Sequence, residues 1–232
     1  MSISKYAVIG LGQFGTAIAR TLSERGSEVL AIDINPKKTE AIKDQVAYAV
    51  SLDSTDLRSL EDQGIDEMEA VVVAIGENFE ALLLTTVFLL EMNIKRVIAR
   101  ADGAQQRMIL EKIGVKEILS PEDEVGISVA ERLMNPSILS SLQLMDDYEI
   151  VEVKAPPRIL GRALEEIDLR PRYGLTVVTI KRQFEDGEKE NGEVKYRHTI
   201  LGVPSPATII QKGDALIVFG LDKDIKKFTD LN

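Results

Sequence analysis

Near its N-terminus the chain reads YAVIGLGQFGTAIARTLSERGSEVLAIDIN, a stretch whose residue types suit phosphate and sugar binding. Gly10, Gly12 and Gly15 stand in Gly-x-Gly-x-x-Gly spacing, and Asp33 closes the next apolar run. In such a unit the first glycine permits a tight strand-to-helix turn. The second lets a pyrophosphate approach the backbone, and the third lets the helix pack closely on the strand. Free N–H groups and the positive end of the helix attract phosphate. Asp33 would accept hydrogen bonds from both ribose hydroxyls of an adenosine and repel a 2′-phosphate, which disfavours NADP. Lys37 and Lys38 could soften that repulsion, or be solvated residues of the following helix. The motif alone is weak, but following a strand, opening a helix and preceding an acid makes it strong.

Three further groups fall where such a ligand would lie. Asp53-Ser54-Thr55, after the third strand, sits where an adenine edge would fall, or caps the next helix, or both. Ala74-Ile75-Gly76, after the fourth strand, puts small residues against the ligand. Asn78 starts the next helix, and either caps it or reaches a phosphate or sugar. Groups for catalysis are not marked. There is no Cys, and His198, the one His, lies in a charged stretch that reads as solvated surface. No Ser/His/Asp arrangement or metal-spaced cluster appears. Most carboxylates read as solvated helix faces, and Asp146-Asp147 as the end of a helix. The residues read as a nucleotide-binding module with a small appended domain, a sensor more than an enzyme.

The elements that must position these groups alternate. Strand-like runs at 6–10, 28–33, 46–52, 70–76, 96–101 and 115–120 are separated by helical patterns at 15–26, 35–44, 54–64, 78–93 and 104–114. Six strands with five intervening helices predict a Rossmann-like doubly wound parallel sheet of order 3-2-1-4-5-6, class α/β, with the ligand above the carboxyl ends of strands 1 and 4. This first domain is expected over 1–120. Residues 121–146 read as crossover or linker helices, one over 121–134 and a continuation over 136–145 after the Asn135-Pro136 break. Ile127, Ala130, Leu133 and Met134 either meet a second subunit or pack back on their own domain. A small α+β domain is expected over 147–232. It has strands at 148–156 and 173–184, a helix at 160–170, an exposed charged hairpin at 185–198, two strands around a Lys-Gly-Asp turn at 207–220, and a closing helix at 222–230.

Composition narrows the partners. The 232 residues are 44% apolar and 28% charged, as in ordinary globular proteins, with a net charge of −10. An acidic chain repels phosphodiesters and anionic lipid, so no nucleic acid is expected. No apolar run approaches the ~20 residues that span a bilayer. The first residues enter a strand at once without a signal-peptide pattern, which predicts a cytoplasmic location.

The motifs YAVIGLGQFG, VLAIDIN, SLDSTD, VVVAIGEN, LLLTT and LEKIGVKEILSPE, followed by ILGRALEEIDLRPRYGLTVVTIKR and IIQKGDALIVFG, give the chain a resemblance along nearly its whole length. It resembles the cytoplasmic regulatory subunits of bacterial Ktr/Trk potassium uptake systems, the KtrA/TrkA type built of RCK domains. The resemblance implies N-lobes joined as homodimers through crossover helices, with four dimers in an octameric ring. That ring would dock on a membrane potassium-translocating subunit, peripheral to the inner face of the cell membrane. It implies ATP, ADP or NAD(H) in the Gly-rich site, changing the ring's shape and gating the pore. By motif, Leu11, Gln13 and Phe14 lie alongside the three glycines. Ile34 and Asn35 flank adenosine with Asp53, Ser54 and Thr55, and Ala74, Ile75, Gly76 and Asn78 line the base. Arg100 matches a basic residue near the phosphates. Glu122 matches a carboxylate that helps hold a divalent cation. Some relatives bind cyclic di-AMP between C-terminal domains, where Asp168, Leu169 and Arg170 would match. One departure stands out: these proteins usually read GLGRFG, with an Arg on a terminal phosphate across the dimer, and this chain has Gln13. A neutral amide does not neutralise a γ-phosphate, so discrimination of ATP from ADP is weakened, unless Arg100 compensates. The competing readings are a nicotinamide-dependent oxidoreductase and the detached gating domain of a potassium channel. The start at strand one favours a free-standing subunit over the latter.

Overall fold

The structure is a computed structural model and describes residues 3–190 and 193–230. The chain divides into two compact units, residues 1–124 and 125–232.

The first unit alternates strand and helix: β1 (Lys5–Ile9), α1 (Gln13–Glu24), β2 (Glu28–Asp33), α2 (Pro36–Ile42), β3 (Tyr48–Ser51), α3 (Leu57–Glu61), β4 (Ala70–Val73), α4 (Phe79–Glu91), β5 (Val97–Arg100), α5 (Gly103–Lys112) and β6 (Glu117–Leu119). The six strands form one parallel sheet in the order β3-β2-β1-β4-β5-β6, as the alternation predicts. Neighbouring residues of each central strand serve opposite faces. Ala7, Ile9, Leu30, Ile32, Val71 and Val73 pack into one core, while Val8, Val29, Ala31 and Val72 pack into the other. That two-sided burial is why AVVV has no polar alternation. Register brings Ile9 level with Ile32 on one side and Val73 on the other. The carboxyl ends of β1, β2 and β4 therefore finish together, at the reversal point of the strand order where open α/β sheets hold ligands.

The helix starts follow local chemistry. Asn35 caps α2 by accepting from the Lys37 amide, with Pro36 in the first turn. α3 is capped by Asp56, which accepts from Arg58 N, and neither Ser54 nor Thr55 takes that role. Asn78 caps α4, accepting from Ala81 N at 3.0 Å.

α6 (Pro121–Met134) carries the chain across the boundary between the units. None of its residues is buried, and Val125, Ile127, Leu133 and Met134 are each at least 60% exposed. The helix predicted over 136–145 is instead a strand, β7 (Ile138–Gln143), antiparallel to β8 (Tyr148–Lys154). Pro136 ends the helical pattern, because the residue before a proline avoids the helical region. Asp146 and Asp147 then adopt left-handed φ of 57° and 60°, and Tyr148 N donates to Met145 O. Two successive residues at positive φ make the tight turn of a twisted hairpin, so this pair turns a sheet edge and ends no helix.

The second unit continues with α7 (Leu164–Ile167), α8 (Leu169–Tyr173), β9 (Thr176–Glu190), β10 (Glu193–Ile200), β11 (Ala215–Leu221) and α9 (Asp222–Thr229). Its antiparallel sheet runs β10-β9-β11-β8-β7. Val151, Val153, Ile180, Leu216 and Val218 on one face bury Ile167, Leu169, Ile225 and Phe228 from the helices. The helix predicted over 160–170 is broken at Asp168, in left-handed conformation, into α7 and α8. Of the two strands predicted over 207–220, only β11 forms; the first run makes one isolated bridge, Ala163 with Ile209. The charged hairpin expected over 185–198 is β9 with β10, and its residues 191 and 192 lie outside the described residues.

Candidate nucleotide site

The glycine loop is built by close contacts that only glycine permits. Gly10 leaves β1 at φ +95°, and a Cβ there would lie 2.8 Å from Ile75 N and 2.9 Å from the Ala74 carbonyl carbon. A Cβ on Gly15 would lie 1.9 Å from Gly10 O, so the first turn of α1 rests directly on the loop. Gly12 differs: a Cβ there would meet nothing within 4 Å. Gly12 caps α1 without a side chain, so the first amides of the helix lack both an intrahelical partner and a capping group. Open space at Gly12 beside uncapped amides is an arrangement that suits an anion.

Asp33 closes the loop from β2. It is 6% exposed, and its carboxylate accepts from Leu11 N at 2.7 Å, Asn35 N at 2.8 Å and Lys38 Nζ at 3.3 Å. Lys38 thus turns back onto the acid, the softening weighed in the sequence, while Lys37 offers the α2 cap only its amide. Leu11 and Phe14 send their side chains into the core. Gln13 is the exposed first residue of α1. Ile34 is 67% exposed beside Asp33 and presents a free apolar surface at the end of β2.

The loop after β3 is organised internally. Asp53 accepts from the amide of Thr55 at 2.9 Å and from its hydroxyl at 2.7 Å. These bonds, the hydroxyl's first, hold the Asp53 carboxyl below its ordinary range. Ser54 is buried, and its hydroxyl meets that of Thr85 at 2.8 Å, while Thr85 also donates to Ser54 O. Ser54 therefore ties this loop to α4 and does not face the open site. Thr85, unassigned by sequence reasoning, had one signal: a hydroxyl in an apolar helix must find a partner when buried.

Arg100 ends β5 beside this region. A Cβ on Gly76 would lie 2.4 Å from its Nη1, so the guanidinium occupies the space left by that glycine. Its Nη2 donates to Glu122 of α6 at 2.5 Å, and its Nε is buried without an acceptor. Among the described residues no three Asp, Glu or His side chains converge as a metal site; Glu122 offers one carboxylate, held by an arginine. In the second unit Leu169 is 5% exposed and packs in the core, which removes its side chain from the stretch Asp168–Arg170 as a surface contact.

Residues 6–121 match the TrkA-N domain and residues 148–232 the TrkA-C domain. The chain is 35% identical over 224 residues to Ktr system potassium uptake protein A of Bacillus subtilis (strain 168), covering 97% of this chain and 95% of that protein. The chain belongs to the Ktr family of potassium uptake proteins. A second Bacillus subtilis relative, Ktr system potassium uptake protein C, is 34% identical with the same coverage, and the Vibrio alginolyticus protein A is 30% identical over 93% of this chain and 92% of its own.

Among solved structures, the GsuK RCK domain matches 98% of this Ktr-family chain at 24% identity and TM-score 0.51, and the GsuK channel bound to NAD matches 98% at 23% and 0.50. The chain spans 46% and 38% of those chains, and the likeness shows a shared fold. Among the described residues no helix is long and apolar enough to cross a membrane.

Proposed function

We propose that this chain is a cytoplasmic, nucleotide-sensing regulatory subunit that gates a potassium uptake transporter. The observation that carries the reading is the 35% identity to a Ktr potassium uptake protein across both domains, joined to an intact glycine loop. The cradle at Gly12 would hold the phosphates of ATP, ADP or NAD(H), Asp33 the ribose, and Ile34 the adenine. Gln13 would hydrogen-bond a phosphate without neutralising it, so no strong preference for ATP over ADP is expected, and NAD(H) or AMP-like ligands fit the loop as well. A divalent cation would bind Glu122 only together with ligand phosphates, because one carboxylate is too few alone. The chain is non-enzymatic in this reading: binding energy is spent on choosing between two conformations of an assembly. The exposed apolar side of α6 would join two chains into a homodimer, and four such dimers would form an octameric ring docked on a membrane potassium-translocating subunit. A cyclic di-AMP site in the C-terminal domain would have to use Asp168 and Arg170 without the Leu169 side chain.

Calorimetry with ATP, ADP and NAD(H), light scattering for mass, and potassium flux with the membrane subunit test this. Binding without turnover, an oligomer above a dimer, and nucleotide-dependent flux are expected. Sustained hydride transfer to a small substrate would replace the reading with an oxidoreductase.

A further inference from the structure

The position of Arg100 holds a contradiction. Its guanidinium is folded over Gly76, in the loop after β4 whose Ala74 and Ile75 backbone Gly10 rests against. One of its nitrogens is paired with Glu122, while Nε has neither an acceptor nor solvent. A buried donor without an acceptor forfeits a hydrogen bond that water would have supplied. The arginine is therefore under-satisfied where it lies, and gains by moving to an acceptor. Because Nε is enclosed, a ligand cannot reach it while the side chain stays in place. Glu122 holds the nitrogen that a phosphate would take, and guanidinium binds phosphate in the same forked geometry as carboxylate. Glu122 stands in the first turn of α6, the helix that carries the chain from the first unit into the second.

We infer that Arg100 is a two-position switch: in one position it pairs with Glu122 over Gly76, and in the other it meets an anionic ligand at the glycine loop, releasing Glu122 and the start of α6. The inference rests on the nucleotide reading and adds a route by which occupancy reaches α6. Glu122 acts as an internal competitor for ligand charge. The pair is partly solvated, with side-chain exposures of 20% and 57%, so its removal changes affinity by a modest factor.

The test measures Kd for ADP and for adenosine, with EDTA present, on the full chain and on Glu122→Gln, Arg100→Gln and the double variant. Glu122→Gln should bind ADP about two- to fivefold more tightly, the gain expected from freeing one surface pair. Adenosine binding should not change, and Glu122→Gln should add nothing in the Arg100→Gln background. Hydrogen exchange at the start of α6 should quicken when ADP binds the unaltered chain, and be quick already in Glu122→Gln. A Glu122→Gln variant that binds ADP no better, an equal gain for adenosine, a gain that survives Arg100→Gln, or unchanged exchange on ADP binding would each overturn the switch and leave the nucleotide reading intact. An unaltered chain that binds neither ADP nor adenosine would overturn both.

Discussion

The amide of Leu11 donates to the carboxylate of Asp33 across 2.7 Å, joining the glycine loop after β1 to the end of β2. The acid thus holds the loop's shape before it holds any sugar. Its two oxygens take Leu11 N, Asn35 N and Lys38 Nζ, and a carboxylate has about four acceptor sites. One acceptor site is left for a ribose hydroxyl, and a second becomes free where Lys38 turns away.

Asp33→Ala should therefore fail twice. It strips acceptors from two backbone amides, one of them buried, which costs about 1–3 kcal/mol. It also weakens adenine-nucleotide binding by tenfold or more. Thermal melts and calorimetry on one preparation separate the two losses; unchanged affinity in a folded variant would remove Asp33 from the site.

The glycines should divide by role. Gly15→Ala drives a Cβ into Gly10 O and should destabilise by about 2 kcal/mol or more, since backbone cannot yield as a flexible side chain does. Gly12→Ala meets nothing and should cost under about 1 kcal/mol, the price of alanine at a cap, while blocking phosphate approach. Urea denaturation and ADP titration of both variants check the contrast.

Glu149 predicts a pH dependence. It lies in β8 at 7% exposure; burial first, then Asp222 and Glu131, raises its pKa, with Lys226 and Gln143 acting the other way. A carboxyl whose folded pKa is raised favours the protonated form on folding. Its penalty is absent below the unfolded pKa and grows as pH rises to the folded one. Glu149→Gln should therefore raise the melting temperature near pH 7 and leave it nearly unchanged near pH 4. Melts of both proteins across that range decide it; a stabilisation larger at pH 4 would contradict the burial.

Asp214 and Arg182 form the most buried ion pair of the second unit among the described residues, at 2.7 Å with side-chain exposures of 0% and 13%. Asp214 also accepts from Gln211 N, and Arg182 donates to Ile209 O. Asp214→Ala removes both carboxylate bonds from a half-buried guanidinium and should cost about 1.5–3 kcal/mol. A loss below about 1 kcal/mol in urea denaturation would show that Arg182 finds water instead.

What the amino-acid order determined by itself was local or periodic. The glycine spacing, the Asn35-Pro36 and Asn78 helix starts, and the apolar run of β4 each act within a few residues. Alternation of strand and helix, with the glycine motif after the first strand, pointed to a doubly wound sheet of order 3-2-1-4-5-6, which the structure has. What tertiary structure decided depended on partners far along the chain. ILSSLQ is too short for its periodicity to separate helix from strand, and pairing with β8 settled it. Ser54 looked free for a ligand until Thr85, on α4, took its hydroxyl. Gly76 looked small for a ligand's sake, yet Arg100 fills its space and Glu122 holds the arginine there. Sequence spacing carries backbone propensity, but a side chain's partner is chosen only when folding brings distant segments together, and that choice separates a loop that binds from one that braces.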